Sequence, residues 1–82
     1  MQVQVTFYGV LKQDAGTKQQ TVELPGDAPT VQVLGDALAA RYPGMAKRLP
    51  TVAFAVRDAL VSLDHVLEDG DLVAMLPPVS GG

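Results

Sequence analysis

An apolar run, Asp71-Leu72-Val73-Ala74-Met75-Leu76, meets two consecutive prolines and then Val79-Ser80-Gly81-Gly82. Proline has no backbone N–H and a fixed φ, so sheet pairing along this strand must stop at Pro77. Two prolines together favour a stiff, extended path that directs the following residues away from the body. Gly81 and Gly82 carry no Cβ and fit channels too narrow for other residues. A stiff stalk with a slim end suits a terminal carboxylate, on Gly82, that is itself the working group. The plainer alternative is an inert tail, because small, polar termini are common.

The domain before the tail has to be small. A chain of 82 residues accommodates one domain, and at this size only ~60–65% of the unfolded surface is buried, leaving little room for an internal active site. The apolar content of 48% argues for a folded protein. A net charge of −3 and a pI near 4.7 argue against nucleic acid or anionic membranes as partners and fit a basic protein surface. The absence of cysteine excludes disulfides, thiolate metal sites and cysteine nucleophiles, and is compatible with the cytoplasm. The N-terminal residues lack a signal-peptide pattern, and no apolar stretch reaches membrane-spanning length. A soluble, cytoplasmic protein is expected.

Periodicity then orders the chain. Val3, Val5 and Phe7 alternate with Gln2, Gln4, Thr6 and Tyr8, the pattern of a half-buried strand. Residues 10–18 read as a connecting loop and 19–24 as a second strand, pairing with the first as a hairpin. After the punctuation of Pro25-Gly26-Asp27-Ala28-Pro29, Thr30 is a good helix N-cap. Val31, Leu34, Leu38 and Tyr42 recur at helical spacing, and Pro43-Gly44 ends the helix. Gly35 inside it suggests close packing against a strand. Met45 to Leu49 reads as irregular or a single turn. Val52, Phe54 and Val56 alternate with Ala53 and Ala55 in a third strand, followed by a brief strand over 60–63. Gly70 takes the left-handed position of an acidic turn before the last strand. One helix against one mixed sheet makes an α+β domain over 1–76 with a flexible tail over 77–82.

This element order and ending resemble the β-grasp, or ubiquitin-like, fold. Within it the chain resembles the sulfur-carrier family that includes the small subunits of molybdopterin synthase. The most specific match runs from Leu67-Glu68-Asp69-Gly70-Asp71 through the strand to Pro77-Pro78-Val79-Ser80-Gly81-Gly82, with support from the stretch Val3 to Gly9 and from Leu60 to His65. The family often has Asn where Arg57 stands and Phe where Leu76 stands.

The resemblance implies a role. A partner related to ubiquitin-activating enzymes adenylates Gly82 with ATP, and a separate sulfur-donor enzyme converts it to a thiocarboxylate. The tail docks in the synthase large subunit, and the sulfur is delivered to a cyclic pyranopterin monophosphate to build the molybdopterin dithiolene. The chain contributes no catalysis, metal or bound cofactor, and the assembly implied is a heterotetramer. Rival functions are sulfur carriage for thiazole or tRNA thiolation, covalent protein modification through Gly82, and an inert interaction domain.

Periodicity also places Tyr8, Leu60, Leu72 and Leu76 on the outward sheet face, a candidate docking patch near the stalk. Lys12, in the first loop, is a further candidate partner contact. His65 lacks companions for catalysis or metal binding and belongs in a surface turn. Glu68, Asp69 and Asp71 lack calcium-loop spacing and read as a solvated turn.

Overall fold

A computed structural model describes residues 1–78; Val79, Ser80, Gly81 and Gly82 lie outside the described residues. The elements in chain order are β1 (Gln2–Phe7), α1 (Val10–Ala15), β2 (Gln19–Glu23), α2 (Val31–Arg41), α3 (Pro43–Ala46), β3 (Ala53–Val56), β4 (Ala59–Val61) and β5 (Leu72–Leu76), with a tight helical turn at Leu49–Thr51. Among the described residues the five strands form one sheet in the order β2-β1-β5-β3-β4. β5 lies parallel to β1 and antiparallel to β3, so the sheet is mixed and its last strand is central.

Alternation decides the two faces. Val3, Val5 and Phe7 of β1, Phe54 and Val56 of β3 and Val73 and Met75 of β5 are buried. The register sets Phe7, Met75, Phe54 and Val61 in one row beneath α2. From α2, Val31, Leu34 and Leu38 close the core, and the Tyr42 ring meets Phe7 edge-on, with centroids 6.0 Å apart. Burial of this continuous apolar surface, at roughly 25 cal/mol per Å², is the main force holding helix to sheet.

The start of α2 explains the segment before β5. Thr30 caps the helix, its Oγ1 accepting from Val33 N–H at 3.4 Å. The amides of Val31 and Gln32 donate to the carbonyls of His65 and Leu63 at 3.0 and 2.9 Å. First-turn amides have no partner within a helix, so the 63–66 segment is docked by satisfying them. His65 therefore serves through its backbone. It lies half-buried in its turn, and its Nε2 is buried with no hydrogen-bond partner among the described residues.

Three sequence readings need correction. Residues 10–15, expected as loop, form α1, because fully buried Leu11 anchors the segment on the core and Gly16 caps it with left-handed φ 73°. Pro43-Gly44 ends α2 but also opens α3, whose Met45 is fully buried, proline being favoured in a helical first turn. The acidic turn is more structural than solvated. Asp69 Oδ1 accepts from Gln2 N–H, buried Asp71 accepts from Glu68 N–H, and Gly70 (φ 85°) donates its N–H to the Gln2 carbonyl. These bonds stitch the turn to the start of β1.

Candidate functional site: the open sheet face and the stalk

The face of the sheet turned away from α2 has small residues at its centre. Thr6, Ala74, Ala55 and Leu60 are register partners across β1, β5, β3 and β4. The two alanines keep the middle of this row low, and a groove of about 420 Å³ forms over Thr6, Ala55 and Ala74, bordered by Tyr8, Leu72 and Arg57. Tyr8, Leu60 and Leu72 are 44%, 71% and 67% exposed, an unusual concentration of large apolar side chains on one small sheet. Leu76 shares the face, opposite Ala53, but is half-buried.

Lys12 stands apart. It is exposed, not in a loop but on α1, and does not line the groove. The cation bordering the groove is Arg57, whose Nη1 lies 3.4 Å from Glu68 Oε2 and 3.8 Å from Asp71 Oδ1. Reading the sequence for large outward residues missed Thr6, Ala55 and Ala74; the small set alternating with Val52, Phe54 and Val56 was the available signal.

β5 carries the chain from the middle of this face into the stalk. Tyr8 N–H donates to the Met75 carbonyl at 3.2 Å, extending the β1–β5 pairing to the last turn before the prolines. Pro77 is half-buried and packs on Gly9: a Cβ added there would come within 2.9 Å of Pro77 Cγ. The same glycine has φ 55° and ψ −133°, which side chains disfavour. The expected reactive end, Val79 to Gly82, lies outside the described residues.

Among the described residues no group of three or more His, Cys, Asp or Glu side chains is placed to hold a metal, and no helix is long and apolar enough to cross a membrane. What the domain offers is an open apolar face with a stalk leaving from its central strand.

Comparison with known proteins is consistent across sequence and structure. Residues 5–82 match the model of the ThiS family. A molybdopterin synthase sulfur carrier subunit from Escherichia coli is 39% identical over 82 residues, 98% of this chain and 99% of that protein. Among solved structures, SAMP1 from Haloferax volcanii superposes with a TM-score of 0.88 at 26% identity, over the whole of both chains. A chain of the complex of subunits 1 and 2 of molybdopterin-converting factor from Helicobacter pylori gives a TM-score of 0.70 at 30% identity, again over both whole chains.

Proposed function

Because the chain belongs to the ThiS family, we infer that it is a sulfur carrier, the small non-catalytic subunit of a molybdopterin synthase. The observation that carries this reading is the run of central strand β5 into Pro77 and Pro78 beside an exposed apolar face. A group carried on a stalk must be presented to successive partners, and a face rich in exposed Leu and Tyr gives them something to grip.

The chemistry follows from the weakness of a carboxylate as an electrophile. In this reading a Gly82 carboxylate oxygen attacks the α-phosphorus of ATP within an adenylating partner, and pyrophosphate leaves. Hydrosulfide released by a sulfur-donor enzyme then adds to the acyl carbon, AMP departs, and the chain ends in a thiocarboxylate. Docked through the open face on the synthase large subunit, in a heterotetramer, the carrier delivers this sulfur to a cyclic pyranopterin monophosphate. ATP serves the activating partner, and the carrier itself supplies no acid, base or metal.

The test is the intact mass of the protein after incubation with its activating enzyme, ATP and a sulfur source. The expected outcome is a gain equal to sulfur replacing oxygen, lost when Gly82 is deleted. No gain, with the activating enzyme competent on another carrier, overturns the reading. Higher-mass conjugates on a denaturing gel would instead identify a protein modifier.

A further inference from the structure

Pro77 and Pro78 do not leave the domain unsupported. They line a groove of about 310 Å³ together with Val10, Arg48, Thr51 and Val52. One wall is the start of α1, where the Pro77 ring sits over Gly9; the other is the turn at Leu49–Thr51 with Val52. A single ion pair joins the elements that carry the walls. Arg48 Nε donates to Asp14 Oδ2 at 2.6 Å, linking the last turn of α1 to the residue that opens the Leu49–Thr51 turn.

The tie is part-buried, and the Arg48 side chain is 39% exposed. The Asp14 side chain is only 13% exposed. The Arg48 carbonyl accepts from the N–H and the hydroxyl of Thr51 at 3.0 and 2.8 Å, so the guanidinium extends from a fixed backbone. A charge-assisted bond of this length is directional and strong for its kind. Nothing in the sulfur chemistry uses either group. Their pairing instead links the two elements that line the groove together with the prolines.

We propose that Asp14 and Arg48 are a positioning pair that holds the α1 side and the Leu49–Thr51 side of this groove in place beside Pro77 and so fixes the direction in which the reactive end leaves the domain. The consequence for transfer rests on the sulfur-carrier reading, but the direction of the stalk does not. Direction matters because misplacing a reacting group by ~1 Å can slow its reaction on the order of a hundredfold.

The first experiment needs no partner. The chain has no cysteine, so spin labels on Thr21→Cys, exposed on β2, and Val79→Cys report the spread of stalk directions. Arg48→Met keeps the apolar stem and removes the guanidinium, Asp14→Asn removes the charge at constant shape, and Arg48→Lys restores a cation. The distance distribution is expected to widen in the first two and to narrow again in the third. An unchanged spread in folded Arg48→Met overturns the proposal, and Asp14→Asn provides the same comparison should Arg48→Met fail to fold. In synthase assays of the unlabelled protein, kcat is expected to fall about tenfold or more in Arg48→Met and Asp14→Asn with KM unchanged, the mark of lost orientation, and to recover in Arg48→Lys. Val22→Ala, which loosens the core at β2, is expected to lower stability without that fall. Equal kcat loss in Val22→Ala would reduce the pair to a structural one. Failure of the carrier reading would be seen separately, as parent protein that never acquires sulfur.

Discussion

Gly35 faces the ring of Phe54 from the middle of α2, and the contact is looser than its glycine implies. An added Cβ would lie 4.0 Å from Phe54 Cζ, an ordinary van der Waals separation. Glycine within a helix is less favourable than alanine by about 1 kcal/mol. Gly35→Ala is therefore expected to raise the unfolding free energy by up to ~1 kcal/mol, read as a higher urea midpoint at unchanged m-value. A lower midpoint would mean that helix and strand approach closely enough to exclude a methyl. The glycine that does exclude one is Gly9, beneath Pro77. Composition gave no way to tell the two apart, because the obstructing atom comes from a residue 68 positions further along the chain (77 − 9). Asp71 teaches the same lesson: its burial depends on where the turn meets β1, not on its acidic neighbours.

At the scale of elements, the β3–β4 hairpin turns through Arg57 and Asp58, flanked by the pair Val56 and Ala59. Both turn residues have positive φ, 52° and 65°, the geometry of a tight hairpin whose twist suits the sheet and which favours glycine at its second position. No hydrogen bond or ion pair of the Asp58 side chain is seen among the described residues. Asp58→Gly is thus expected to stabilise the domain by up to ~1 kcal/mol through relief of left-handed strain, checked by thermal unfolding. A fall in Tm would show that the aspartate contributes more than its backbone strain. Arg57 stands differently, since its ion pairs reach Glu68 and buried Asp71; the pair with Glu68, exposed at both ends, is worth less than ~1 kcal/mol.

Helix α1 was illegible for a reason particular to it. It has six residues, no side-chain cap and no acidic residue in its first turn, so the usual start signals are missing. Isolated helices of this length are unstable, and burial of Leu11 supplies what propensity does not. α2 was legible because Thr30, an apolar repeat and Pro43 mark its start, face and end.

For the whole molecule, the open face is the property to test. Leu60 is 71% exposed and therefore dispensable to the core. Leu60→Asp is expected to weaken large-subunit binding at least about tenfold, since losing burial of a Leu side chain costs ~1.5–3 kcal/mol and tenfold in affinity is 1.4 kcal/mol. Stability should remain within ~1 kcal/mol of the parent, as for most exposed substitutions. Titration calorimetry and a urea melt on the same preparation check the two halves; unchanged affinity would remove Leu60 from the interface.

The sequence by itself determined which residues of each strand share a face, the helix over Val31–Arg41, the turn at Gly70 and the end of the sheet at Pro77. Each is a local consequence of side-chain period, capping or a missing N–H, and needs no knowledge of distant residues. Tertiary structure alone decided that β5 would lie between β1 and β3, because strand neighbours depend on which apolar faces α2 can cover together. From that choice follow the row of Thr6, Ala74, Ala55 and Leu60, the contact of Pro77 with Gly9 and the meeting of Asp14 with Arg48. These features join residues far apart in the chain, and only the closing of the sheet brings them within reach.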